Sequence, residues 1–190
     1  MSVVTPGVRL RRMKHLFIDV ALLVLVAFAL SACISSETPL LSDATPLLGD
    51  QFQLNLYENF VDGKAKTLKT SIFRWAGDRY VLLSGTLETL MGVKYLVAQP
   101  ADGDDLIVQL SNGKTYFYLL GRELADGTYR IIPIDQNDVD ESTRNTLCVT
   151  KDIMDCTIAT RAQLDAFVDA AAEKEVNYAE LAVISVAPTP

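Results

Sequence analysis

The sequence predicts a mainly β domain with some α content: an antiparallel meander forming a small barrel or sandwich, with one C-terminal amphipathic helix. Three observations lead there. Turn pairs stand at Asp62-Gly63, Gly77-Asp78, Asp102-Gly103, Asn112-Gly113 and Asp126-Gly127, where glycine supplies the positive φ that tight hairpins need. Around these turns lie seven short runs rich in aromatic and β-branched residues, the pattern of closely spaced strands. After Cys156 the apolar spacing changes from strand-like to helical,.

Residues 1–32 stand outside that fold. Arg9, Arg11, Arg12 and Lys14 precede an eleven-residue apolar run from Val20 to Leu30, and the small residues Ser31 and Ala32 follow. This is the basic region, apolar region and small-residue cleavage site of a secretory signal. Crossing a bilayer takes about 20 apolar residues, and Asp19 cuts this run short, so a cleaved signal is expected rather than a permanent span. Met13-Lys14-His15 also supplies an adequate basic region, so Met1 and Met13 both fit as the start. Arg11-Arg12 resembles a twin-arginine signal, but its flanking residues fit that pattern poorly.

Leu30-Ser31-Ala32-Cys33 resembles the lipobox of bacterial lipoproteins, in which Leu, a small residue, Ala or Gly, and Cys stand in that order. The resemblance implies a diacylglycerol thioether on Cys33, cleavage before it, and acylation of the freed amine, as with palmitate. One chain anchors marginally and two or more hold stably. By the same resemblance, Ile34 in place of Asp after the cysteine points to the outer membrane, with the protein facing the periplasm.

Residues 33–50 then read as the lipidated cysteine and a tether. Pro, Ser and Thr recur there, and Thr-Pro-Leu-Leu occurs twice, at 38–41 and 45–48; a Pro-containing linker spaces a domain from a bilayer. The two Leu pairs are apolar for a solvated linker, so packing onto the domain is the competing expectation. A single domain is expected over 51–186. Its strands are Phe52–Tyr57, Lys69–Trp75, Arg79–Leu83, Val93–Gln99, Leu106–Leu110, Thr115–Leu120 and Thr128–Ile134. Tyr116-Phe-Tyr-Leu-Leu120 is apolar on both faces, as a central strand is. Thr160-Arg-Ala-Gln163 has the form of a capping box, and Leu164, Phe167, Val168 and Ala171 recur at helical spacing behind it. That predicts a helix over about 161–173, lying across the sheet or plugging one end. Asn177–Val186 fits a short helix or a last strand, and 187–190 reads as a disordered tail.

Composition prunes the functions. Of 17 basic residues four lie before Cys33, and of 24 acidic residues only Asp19 does; residues 33–190 therefore carry 13 against 23, a formal charge of −10. That balance disfavours nucleic acid and electrostatic docking on anionic headgroups, leaving a lipid to do the anchoring. The one histidine, His15, falls in the signal, so the mature chain lacks the imidazole of Ser-His-Asp or Cys-His catalysis and of His-ligated metal sites. With Cys33 assigned to lipid, Cys148 and Cys156 remain, and in an oxidising compartment they most simply pair. The nine-residue loop they close would contribute about 2–3 kcal/mol. A redox pair is disfavoured because the Cys-x-x-Cys spacing is missing.

Asp135-Gln-Asn-Asp-Val-Asp-Glu141 starts like a Ca²⁺ loop but lacks Gly at the sixth position and Glu at the twelfth, so it reads as a solvated loop,. Asp102-Gly-Asp-Asp105 reads as a charged hairpin tip. The aromatic residues Tyr57, Phe73, Trp75, Tyr80, Tyr95, Tyr116, Phe117, Tyr118 and Tyr129 are expected mainly as core and cross-strand pairs, with an apolar ligand cavity as the alternative. No cofactor, metal ligand set or catalytic motif is singled out. Tyr95-Leu-Val-Ala-Gln99, Tyr116-Phe-Tyr118 and the Cys148…Cys156 segment leading into Arg161-Ala-Gln-Leu-Asp165 resemble small proteobacterial lipoproteins to which no activity is assigned. Three functions stay open: a non-catalytic binding or assembly module with an envelope protein or polymer as partner, a lipocalin-like carrier, and a carboxylate-dependent hydrolase.

Overall fold

The computed structural model describes residues 34–42, 45–61, 64–101, 103–125, 128–152, 155–173 and 182–185. The expected signal over 1–32, Cys33, the expected tail over 187–190 and the Asp62-Gly63 and Asp126-Gly127 turns lie outside the described residues. The strands are β1 (Ile34–Ser36), β2 (Gln51–Val61), β3 (Lys64–Trp75), β4 (Tyr80–Gly85), β5 (Tyr95–Pro100), β6 (Leu106–Ser111), β7 (Tyr116–Ala125), β8 (Thr128–Pro133), β9 (Thr150–Asp152), β10 (Asp155–Thr157) and β11 (Ala182–Ser185). The helices are α1 (Thr86–Met91), α2 (Glu141–Leu147) and α3 (Arg161–Glu173), with a 3-10 turn at Gln136–Asp138. The chain is thus mainly β with a C-terminal helix, as expected, and all seven expected strands are present.

Sequence neighbours from β2 to β8 pair antiparallel. β11 then pairs with both β8 and β2, so the pairings run through eight strands in a barrel-like ring. The ambiguous C-terminal segment therefore resolves in part: residues 182–185 are the strand that joins the two ends of the meander. The remaining strands extend the sheet sideways as a wing. β1 pairs antiparallel with the first residues of β7 and parallel with β10, and β10 pairs with β9. The sheet as a whole is mixed, and its last strand is β9.

Alternation along the strands builds two cores on opposite faces of one wall. Phe52, Leu54, Phe73, Tyr80, Leu96, Ala98, Leu106, Val108, Leu110, Leu119 and Ile131 form one apolar cluster inside the ring. Their neighbours Val97, Ile107, Tyr118, Leu120 and Ile132 point outward, into a second cluster with Leu164, Phe167, Val168 and Ala171 of α3. Both faces of β6 and β7 are thereby buried, which is why the sequence is apolar there without alternation. Of the two helix placements expected, α3 takes the first: it lies across the outer wall. Each large side chain buried this way contributes roughly 1.5–3 kcal/mol.

Local chemistry sets the ends of the elements. The capping box at α3 forms: the Gln163 side chain accepts from the Thr160 amide at 2.9 Å, and the Gln163 amide donates to Thr160 Oγ1 at 3.3 Å,. Gly85 ends β4 at φ 135°, and a Cβ there would lie 2.4 Å from Ser71 Cα, so only glycine fits,. The register between β3 and β4 slips between Ile72 and Phe73. Leu83 falls at that bulge and is turned outward, 46% exposed,.

Candidate functional site

The segment after Cys33 was expected to act as a tether, and the structure corrects this. Ile34 begins a strand and is fully buried, as is Leu48, while Leu41 is 2% exposed. The apolar character of the Leu pairs and of Ile34 is the signal that favours packing over spacing.

The segment is held along the outer wall by a series of polar contacts. The Ile34 amide donates to the Ile134 carbonyl at 3.2 Å, and the Ser35 carbonyl accepts from the Ile158 amide at 2.8 Å. Ser36 Oγ and the Tyr118 hydroxyl lie 2.6 Å apart in the interior. Gln109, 1% exposed in the middle of β6, turns its amide oxygen to the backbone N–H groups of Leu40 at 2.9 Å and Leu41 at 3.0 Å. Its Nε2 reaches back to the Leu41 carbonyl at 3.5 Å. A buried side-chain amide that satisfies two backbone donors is a specific clamp, since those donors would otherwise be left unpaired away from water. Further on, the chain leaves the outer wall: Leu48 belongs to the interior cluster, and its amide donates to the Tyr80 hydroxyl at 2.9 Å. Burial pushes the hydroxyls of Tyr80 and Tyr118 up to about 12.

Cys148 and Cys156 form the disulfide, with Cα atoms 5.2 Å apart. It ties the end of α2 to β10, the strand that holds β1 from its open side. Both cysteines belong to the outer cluster with Ile34 and Phe167. Gln163 Nε2 adds a bond to the Leu147 carbonyl at 2.7 Å, joining α3 to the same junction. Gln109 and Ser36 were not singled out by sequence, and Tyr118 was expected only as a core or cross-strand aromatic, because one polar group in an apolar strand does not reveal which backbone it will meet.

The acidic run is not a loop throughout but a capping device. Asp135 accepts from the Asn137 amide at 2.7 Å, and Asp138 accepts from the Asp135 amide at 2.7 Å. Asp140 caps α2 through the amides of Ser142 at 2.8 Å and Thr143 at 3.0 Å. The hydrogen bonds from Thr143 and Ser142 hold its carboxyl at about 2,. Among the described residues no cluster of three His, Cys, Asp or Glu side chains suits a metal.

The aromatic residues do not converge. Phe52 and Phe73 stack at 5.2 Å between centroids inside the ring, with Tyr80 edge-on to Phe52 at 4.9 Å and Trp75 packed on Tyr80. Phe117 and Tyr129 pack against the same interior cluster. Tyr118 is instead on the outer wall, and Tyr95 and Tyr116 meet through their hydroxyls at 3.2 Å, with Arg79 over the Tyr95 ring. The Tyr57 side chain lies outside the described residues.

No protein-family model, no curated protein and no solved structure matches this chain. What the geometry offers is a packed barrel-like body with residues 34–42 strapped to its outer wall. Its most elaborate polar contacts serve that strap rather than a cleft.

Proposed function

We propose that this chain is a lipid-anchored cell-envelope protein, attached through Cys33 and facing the periplasm from the outer membrane, whose domain serves as a non-catalytic binding or assembly module. The observation that carries the reading is the position of the lipobox: its cysteine is the residue immediately before β1, so lipid attachment and the start of the folded body adjoin. The Cys148–Cys156 disulfide supports export, since such bonds persist in oxidising compartments,.

The carrier alternative draws on the eight-strand ring, a size that elsewhere encloses a small ligand. It ranks second because large side chains, Phe52, Phe73 and Tyr80 among them, occupy the interior here. The hydrolase alternative needs a carboxyl with a raised pKa. Asp78 and Asp140 are shifted the other way, both held low by hydrogen bonds.

The test is expression of the full chain and of Cys33→Ser in a bacterium, followed by mass spectrometry of the mature N-terminus and membrane fractionation. A diacylglyceryl group on Cys33, with release of the variant from membranes, is the expected result. Membrane attachment of Cys33→Ser equal to that of the parent would overturn the reading. Crosslinking of the anchored protein in intact cells then identifies the envelope protein or polymer it holds.

A further inference from the structure

We infer that the domain is held close against the bilayer, with the side that carries the 3-10 turn at Gln136–Asp138 nearest the membrane and β4 farther from it. The inference rests on the lipoprotein reading above and adds the geometry of the attachment. Consecutive Cα atoms are about 3.8 Å apart, so the lipid-bearing residue stands one peptide unit from Ile34. A 17-residue tether of the kind expected for 34–50 would instead reach as far as about 50 Å in extended form.

From Ile34 onward the chain is held firmly. Ile34 is fully buried and hydrogen-bonded to Ile134, Ser35 is paired on both edges to Phe117 and Thr157, and Ser36 is joined to Tyr118. The Gln109 clamp then holds the chain again at Leu40 and Leu41. An anchor one residue before such a strand keeps this side of the body nearest the bilayer, because only the bonds of Cys33 and its thioether link separate Ile34 from the lipid,. The parts nearest the anchor are Cys156, opposite Ile34, and Ile134, which leads into the 3-10 turn. β4 belongs to a remote part of the ring, three pairings from β7 through β6 and β5. The acidic side chains Asp135 and Asp138 on the near side disfavour anionic headgroups, so the anchor and not charge keeps the body close, and a zwitterionic bilayer is the suitable partner.

The experiment uses the acylated protein extracted from membranes and reconstituted in phosphatidylcholine vesicles carrying an acceptor-labelled phospholipid. Donor dyes are placed at Asn137→Cys near the anchor and at Leu83→Cys, an exposed position on β4. A third form carries about 15 Gly and Ser residues between Cys33 and Ile34, which add a mean span of about 20 Å. Close attachment predicts energy transfer from position 137 well above that from 83, and a spacer that lowers the first roughly twofold or more and levels the two. Thermal melts of the labelled forms check that each is folded. Equal transfer from the two positions without a spacer overturns the inference, and so does transfer that the spacer leaves unchanged. Absence of an acyl group on Cys33 overturns the lipoprotein reading and this inference with it, whereas acylation with equal transfer overturns the inference alone.

Discussion

Ile34 lies opposite Cys156 in a parallel pairing, so the strand that begins one residue after Cys33 is bonded to the strand that carries the disulfide. Three strands and a covalent bond meet there. β7 flanks β1 on one side, β10 flanks it on the other, and the disulfide fixes β10 to the end of α2. The wing is small, with β9 and β10 of three residues each, and short strands hold poorly by pairing alone.

Removing the disulfide should therefore loosen the wing first and β1 with it. Replacing Cys148 and Cys156 together by Ser is expected to cost about 2–3 kcal/mol, or roughly 5–10 °C in Tm. Hydrogen exchange should quicken at the amides of Ile34 and Ile158 before the ring strands β6 and β7 respond. Uniform acceleration across the ring would contradict a local role.

The Gln109 clamp can be tested by shape-conserving substitution. Gln109→Leu leaves the Leu40 and Leu41 amides facing an apolar side chain, and each unpaired buried donor costs about 1–3 kcal/mol,. The expected result is lower stability by denaturant melt, together with protease cleavage between residues 36 and 45 in a protein whose ring is intact by circular dichroism. Resistance to cleavage equal to the parent would show that the segment is held without the Gln109 bonds.

Phe167 is the largest fully buried side chain of α3 and packs with Ile34 and both cysteines in the outer cluster. Phe167→Ala is expected to cost about 3–5 kcal/mol by transfer and cavity terms. Ala162→Ser, on the exposed side of the same helix, should stay within about 0.5 kcal/mol. Equal losses in the two variants would place α3 off the wall.

Alkaline pH probes both cores. Tyr80 lies inside the ring and Tyr118 outside it, and burial pushes each from the ordinary 10.0 up to about 12. A raised pKa in the fold means that the stabilisation is complete below about 10 and is lost as pH rises towards about 12. Tyrosinate absorbance should show these two hydroxyls ionising with the loss of near-ultraviolet circular dichroism. Titration of all seven tyrosines near 10, with structure retained, would sink the prediction.

Much of this architecture was legible in local patterns. The turn glycines and alternating apolar residues marked all seven meander strands, and the 3.6-residue recurrence of Leu164, Phe167, Val168 and Ala171 marked the helix and its buried face. Cysteine arithmetic paired Cys148 with Cys156. These readings succeeded because each depends on neighbours within one or two turns of chain. The candidate strap was read only in part: the Leu pairs hinted at packing, but residues 34–36 gave no strand signal of their own.

By itself, then, the sequence determined the elements, their faces and the chemistry available: a lipobox-like motif, two pairable cysteines, and no imidazole after residue 15. Tertiary structure decided how those elements close and what covers them. The pairing of residues 182–185 with both β2 and β8, the seat of α3 on the outer wall, and the meeting of Gln109 with Leu40 and Leu41 all join residues far apart in the chain. Their stability comes from burial shared among several segments at once, and local sequence carries no record of which distant backbone will arrive to share it.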